Sequence, residues 1–432
     1  MPKKATARPT TPSINSPVES DIWRRITREV ADDLAVDAIA RDRAGKPPFD
    51  EGARLREAGL PALLTPPGPL GSGADWRTAC AVIREIAAAD GSIGELLGRH
   101  YALSWSARFF GTPEQADLLE IRAAGEQWLW AGSTEIPGAG TDPGTGTAPG
   151  ISGADPGLTL TPAGEGHLLN GRRTLAAGVS VADRLVLGAV CTRTGDPLIV
   201  VVDPAHPGVT ADPAHDRLGQ RLTGAGSVGF DGVPVHPEQV LGAAPRDEYD
   251  VSPFASLAPL ALRLALVHVG LGIAEGALAE ARDASRAAPH AWPPAGTDGT
   301  GYEGRPDGDP YLLLAYGELV AAAHTAAAVV EPATEALARG LLVGRDLGAE
   351  ERADIAVLVA AAEAVTSRSV LQVTTRVLEL TQGTNAPADG PGFDRFWRNA
   401  RVLTAQGSPV HRLRDIGDHY LNGTHPPLTL RR

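Results

Sequence analysis

The chain has 432 residues, of which 43% are hydrophobic and 21% charged, and a net charge of −13. That composition is globular but too long for one compact core, so two or three packed units are expected. The acidic balance argues against a non-specific grip on nucleic acid or an anionic membrane surface. Cys80 and Cys191 alone cannot build a disulfide framework or a thiolate metal site.

Residues 1–18 are basic and polar with no apolar segment, which reads as a disordered tail and not as a secretory leader. Residues 19–124 carry a helical pattern. In 74–87 (ADWRTACAVIREIA), Trp76, Ala79, Val82, Ile83 and Ile86 recur at spacings of three and four. A second helix is expected from Ser92 to Phe110, closed by Gly111, Thr112 and Pro113. Gly and Pro crowd between Pro137 and Gly157, which predicts a long loop.

The period then changes. Residues 125–242 read as a β domain, with short apolar runs at 185–190, 198–202 and 228–235 and a segment around Trp128 to Trp130. Residues 243–432 return to the helical period as a four-helix bundle, with segments Ala255 to Ala287, Tyr311 to Ala338, Ala349 to Leu380 and Phe393 to Thr404. A loop is expected from Pro289 to Pro310. The fold class is therefore mainly α with a central β domain. The apolar stretch from Leu262 to Ile273 carries Arg263 and His268 and is too short to cross a bilayer, so a cytoplasmic chain with no membrane partner is expected. No G-x-G-x-x-G links a strand to a helix, and no H-E-x-x-H occurs, so neither a dinucleotide loop nor a metal site is expected.

Five segments carry a resemblance. Residues 84–94 (REIAAADGSIG) resemble REIAAADGSLG of the flavin-dependent monooxygenases that share the acyl-CoA dehydrogenase fold, the dibenzothiophene monooxygenase group. Residues 271–278 (LGIAEGAL) are similar to its LGIAHGAL, 291–296 with 309–311 to its RPWTPAG and DPY, and 392–399 (GFDRFWRN) to its GFDRFWRN. The resemblance spans roughly residues 25 to 425. It implies an N-terminal helical domain, a middle β domain and a C-terminal four-helix bundle. It also implies a homotetramer, and a bound FMN (FAD being the alternative) that a separate reductase delivers reduced for attack on a small heteroaromatic, sulfur or nitrogen substrate.

The family's polar positions are substituted here. Its His and Tyr after DGSLG align with Glu95 and Arg99, its flavin-facing Ser with Ala177, its Asn with Gly132 and its late His with Gln406. Its two phosphate-binding arginines align with His290 and Gln382, and Arg286 stands close enough in sequence to substitute. Residues 133–142 resemble the TEPGAGSD segment of acyl-CoA dehydrogenases, in which the Thr and its neighbours face the flavin, with Ile136 inserted. This nominates Ser133 and Thr134 as cofactor contacts. A dehydrogenase base is not found, because RNAR is followed by Gln406, Gly407 and Ser408.

Each candidate also has a structural reading. Glu95 and Arg99 are either a helical ion pair or an acid–base and anion-binding couple. His100 is either catalytic or a packed core histidine. Trp128 and Trp130 either stack on substrate and flavin or fill the core. Arg398, Asn399 and Arg401 read as structural groups. Three functions follow: a flavin monooxygenase with a remodelled pocket, a flavin dehydrogenase or oxidase with a displaced base, and a binding subunit that has lost flavin.

Overall fold

The structure, a computed structural model, describes residues 17–68, 71–136, 157–243, 252–287, 308–382, 392–405 and 409–428. Most of the expected tail and the cores of both expected loops lie outside these residues; the last tail positions, Pro17 and Val18, already belong to a helix.

The chain opens with helices α1 (Pro17–Val36), α2 (Ala38–Ala44), α3 (Phe49–Glu57), α4 (Trp76–Ala89), α5 (Gly91–Ser104), α6 (Ser106–Phe110) and α7 (Pro113–Glu126). Asp75 caps α4 by accepting from the Thr78 N–H, and Thr112 with Gln115 forms a capping box on α7. Asp90 caps α5 through the Ser92 and Ile93 N–H groups and is itself held by Arg41 at 2.9 Å. The helix expected over Ser92 to Phe110 is broken at Trp105, whose φ of −87° and ψ of 2° leave the helical basin.

Among the described residues eight strands follow: β1 (Trp130–Ser133), β2 (Leu158–Ala163), β3 (Gly166–Leu175), β4 (Arg184–Cys191), β5 (Pro197–Val202), β6 (Val209–Pro213), β7 (Gly226–Val235) and β8 (Val240–Ala243). They form one sheet in the order β6-β7-β3-β2-β4-β5-β8, with β1 paired parallel to β4. Inward residues such as Leu160, Leu169, Leu187 and Val200 alternate along these strands and are wholly buried.

The C-terminal part holds α8 (Leu257–Ala287), α9 (Pro310–Val343), α10 (Ala349–Gln382) and α11 (Asp394–Thr404), and adds a helix the sequence reading did not place, α12 (Pro409–Asn422). The α8 segment from Leu262 to Leu278, which a tetramer would be expected to bury between subunits, lies mostly in this chain's own core against α4, α5, α9 and α10. Close approach makes that possible: a Cβ on Gly276 would stand 2.0 Å from the Ala88 carbonyl oxygen, so only glycine fits the α4–α8 crossing.

Two helices are apolar over longer stretches than the Leu262 to Ile273 run. Leu257–Ala287 and Pro310–Asp346 are both long and apolar enough to cross a membrane by length and composition, with 78% and 28% of their most apolar windows buried inside the chain. For α8 the burial explains the composition. On α9, Tyr311, Leu313, Leu314 and Val320 are exposed.

Candidate active site

A cavity of about 920 Å³ opens where the three parts meet. One wall comes from α5 and the edge of the sheet, through Arg99, Leu103, Ser133, Thr134 and Arg173. The other comes from α8, α10, α11 and the start of α12, through Leu262, Arg263, Leu266, Leu371, Leu403 and Arg412.

The sheet-side wall is set by β1. Gly132 has φ +140°, and a Cβ there would sit 1.9 Å from the Val186 carbonyl oxygen on β4. The asparagine that the resemblance places here could not be accommodated on this backbone. Ser133 and Thr134 then turn into the cavity. Buried Arg173 on β3 donates to Ser133 Oγ at 3.0 Å and to the Glu135 carbonyl at 2.8 Å. With its oxygen accepting from Arg173, the Ser133 hydroxyl keeps its own proton to donate elsewhere.

Glu95 and Arg99 pair as expected, with Arg99 Nε 2.8 Å from Glu95 Oε1. The pair is split by burial: Arg99 lines the cavity, while Glu95 is 0% exposed and stands behind it. The Arg217 guanidinium is close enough to feel both charges, and burial lowers its pKa against the pull of Glu95. Glu95 therefore sits between cations, and its position suits holding Arg99 rather than meeting a ligand.

His100 is placed differently from its expected catalytic role. Its Nε2 lies 3.0 Å from the Pro61 carbonyl and its Nδ1 3.1 Å from the Trp130 backbone N–H. The carbonyl can only accept and the N–H can only donate, so the ring is neutral with its proton on Nε2. Burial pushes its pKa down to about 4. One nitrogen ties β1 to α5 and the other ties the turn at Leu60–Ala62 to it, so neither is left for chemistry.

The tryptophans are likewise core. Trp128 and Trp130 meet edge to face with ring centres 5.8 Å apart, and Arg184 lies 3.9 Å above Trp128. Trp128 Nε1 donates to Glu126 at 2.8 Å, and neither ring lines the large cavity. Ala177 packs with Leu96, Leu129 and Val181, one residue past cavity-lining Ala176. Arg286 is far along α8 in a separate cavity of about 470 Å³ against α9, beside Arg282 and Tyr316. His290 and Gln406 lie outside the described residues, as does the side chain of Gln382, although Leu403, Thr404 and Ala405 carry the chain along the cavity to the Gln406 position.

Arg398 and Asn399 are structural, as read: Arg398 pairs with Asp42 and Asp394, and Asn399 Oδ1 accepts from the Gln220 N–H at 2.7 Å. Arg401, one turn on, instead lines the cavity. The sequence reading also missed Arg173, Arg263, Glu363, Arg368 and Arg412, which belong to no motif and are gathered only by the packing of β3, α8, α10 and α12. Among the described residues no group of His, Cys, Asp and Glu is arranged to hold a metal ion.

The comparisons with known proteins agree with this architecture. Residues 17–125 match the family described as Acyl-CoA dehydrogenase, N-terminal domain. Dibenzothiophene monooxygenase of Rhodococcus qingshengii is 33% identical over 98% of both chains. The Pseudomonas putida protein named "Probable FMNH2-dependent monooxygenase SfnC" is 30% identical over 93% of this chain and 95% of its own. The crystal structure of TdsC from Paenibacillus sp. A11-2 with FMN and indole superposes with a TM-score of 0.83 at 30% identity, covering 95% of this chain and 99% of the other. With likeness of that extent in both sequence and structure, the chain belongs to the dibenzothiophene monooxygenase family of flavin-dependent enzymes built on the acyl-CoA dehydrogenase fold.

Proposed function

We propose that the chain is the oxygenase of a two-component flavin-dependent system acting on a small sulfur-, nitrogen- or ring-containing substrate. FMN, delivered reduced by a separate reductase, would supply the electrons that let one atom of O₂ pass to the substrate and the other leave as water. The observation that carries this reading is the cavity at the three-way junction. It has a polar edge of Ser133, Thr134 and Arg173 facing an apolar wall of Leu262, Leu266 and Val267. Such an arrangement suits a flat ring that needs hydrogen bonds at its rim and apolar contact on its face. About 920 Å³ lies at the upper end of ligand sites and leaves room for a second small molecule beside the ring. The relatives whose names include FMN support the choice of cofactor.

In this reading the chain's own groups divide the work. Ser133, oriented by Arg173, donates to an acceptor on the ring's rim. Arg99, held by Glu95, presents a fixed positive charge where negative charge builds on oxygen. The leucines of α8 and α10 keep water from the same place. We read the assembly as a homotetramer, supported by the exposed Tyr311, Leu313, Leu314 and Val320 of α9. A cytoplasmic setting is supported by the two buried free cysteines.

The test is in two steps. FMN is titrated into the purified chain by flavin fluorescence, and saturable quenching is expected. Reduced FMN and ¹⁸O₂ are then supplied with benzothiophene or indole, and product carrying one labelled oxygen is expected. A dehydrogenated product without label would sink the oxygenase reading, and absence of quenching would remove flavin from it.

A further inference from the structure

The cavity's charge is opposite to that of the chain. Six arginines and two glutamates line it, in a protein of net charge −13. Two of those arginines are engaged at the sheet-side wall: Arg99 by Glu95, and Arg173 by Ser133 and the Glu135 carbonyl. The other four, Arg263, Arg368, Arg401 and Arg412, stand on α8, α10, α11 and α12 with Glu363 as the one lining carboxylate near them.

Glu363 is shared. Arg263 Nε donates to its Oε2 at 2.7 Å, and Arg412 Nε lies 3.5 Å from the same oxygen. Arg263 Nη2 lies 2.5 Å from the same Oε2, so both guanidinium groups converge on one carboxylate oxygen. Asp415, one turn beyond Arg412, also attracts Arg263, so even counting it, four cations face two carboxylates. Burial accordingly lowers the Arg263 pKa against the pull of Glu363. Arg368 and Arg401 are exposed at the rim. Leu262, Leu266, Leu371 and Leu403 of the same helices also line the cavity and give it apolar surface. The lined part of α8, from Ala258 to Gly270, is about 18 Å long at the helical rise, enough to seat a ring and a small substrate end to end.

We propose that this outer cluster seats an anionic group of the substrate, so that the enzyme's substrate is a small organic acid with an apolar body and not a neutral heteroarene. Guanidinium forks match a carboxylate or a sulfur oxyanion in geometry as well as charge. The anion meets the positive charge that Glu363 leaves unbalanced, at Arg412 and the rim arginines Arg368 and Arg401, and directs the apolar body toward Ser133 and Thr134. The inference rests on the oxygenase reading for its chemistry, but the seat itself is a matter of binding.

The full-length protein is assayed with reduced FMN and two probes, benzothiophene and benzothiophene-2-carboxylate. The carboxylate is expected to have at least tenfold higher kcat/KM, falling as NaCl is raised. The double variant Arg401→Ala/Arg412→Ala is expected to bring the ratio of the two probes close to one, through KM. Equal kcat/KM in the wild type, or a ratio that the double variant leaves in place, overturns the proposal. Calorimetric titration of the carboxylate into flavin-free protein separates this from failure of the oxygenase reading. Salt-sensitive binding that the double variant weakens about tenfold supports the seat whether or not turnover is seen. If the double variant instead weakens FMN binding and leaves the carboxylate untouched, the arginines hold the cofactor's phosphate and the proposal falls.

Discussion

Two regions of this molecule contrast sharply: the seam where α4, α5, α8 and α11 cross, and the outer wall of the cavity on α10 to α12. The seam holds nearly every described residue that carries the family likeness. Residues 84–94 and 271–278 lie against one another there, joined by the Arg84–Glu275 ion pair at 2.7 Å and by the Gly276 approach to Ala88. Asp90 caps α5 and accepts from Arg41. In the GFDRFWRN stretch, Arg395 pairs with Glu280 and Arg398 with Asp42. Each of these groups has a partner within the fold. On the outer wall, Arg368 and Arg401, the last residue of RNAR, face the cavity, and Arg263 and Arg412 share one carboxylate. The similar residues thus report how helices cross, while charge available to a ligand sits at positions that packing alone brings together.

The strongest way to break this comparison is at Glu95, which belongs to the seam by burial yet touches the cavity through Arg99. Glu95→Gln removes the carboxylate from beside Arg99 and Arg217 while keeping its shape. Removing one partner of a buried ion pair costs on the order of 3–5 kcal/mol, because the remaining cation stays buried. Chemical denaturation should show a loss of that size, with turnover falling through the displaced Arg99. A variant of wild-type stability whose activity collapses would move Glu95 from the seam into the chemistry.

His100 gives a smaller effect that pH can isolate. Its folded pKa is about 4, against about 6.5 in an unfolded chain. A histidine with a depressed folded pKa contributes stability that is fully present above about 6.5 and is lost as pH falls toward 4. Between pH 6.5 and 5 the loss is about 2 kcal/mol, at about 1.4 kcal/mol per unit. His100→Gln can still donate to the Pro61 carbonyl and accept from the Trp130 N–H, so it should unfold with a shallower pH dependence across this window. Identical pH slopes in the two proteins would mean that His100 is not held neutral in the fold.

The contrast also explains what could be read from the sequence. The period of three and four in α4, the Ala- and Leu-rich faces of α8 to α10 and the apolar runs of β4, β5 and β7 are local signals, and the elements lie where those signals do. Trp105 breaks its helix with no Gly or Pro to signal it; its ring sits edge-on to Trp76 at 5.6 Å with Arg108 stacked at 4.4 Å, a tertiary preference invisible to periodicity. Helix α12 carries Val410, Leu413, Ile416 and Tyr420 at spacings of three and four, a period that could have marked it, whereas edge strand β6 ends at Pro213 with little alternation and gives no signal. At the site, Ser133, Thr134 and Arg99 were legible through the resemblance. The outer arginines come from helices distant in sequence, and only the crossing of α8, α10, α11 and α12 assembles them.

The smallest expected effect is at Arg401, and it draws the comparison along one helix. Arg398 and Arg401 stand three residues apart on α11, yet Arg398 turns to Asp42, Asp394 and the Leu218 carbonyl, whereas Arg401 is exposed and faces the cavity. Asp42 and Arg398 are both largely buried, with side-chain exposures of 8% and 14%. Arg398→Ala should therefore cost about 3 kcal/mol, the lower end for a broken buried pair. Arg401→Ala removes a solvated guanidinium, and surface changes away from such networks usually stay within about 0.5 kcal/mol. Urea midpoints of the two variants, measured side by side at constant m-value, read the difference directly. If Arg401→Ala were as destabilising as Arg398→Ala, Arg401 would have a structural partner after all, and the line between seam and cavity would have to be moved past the end of α11.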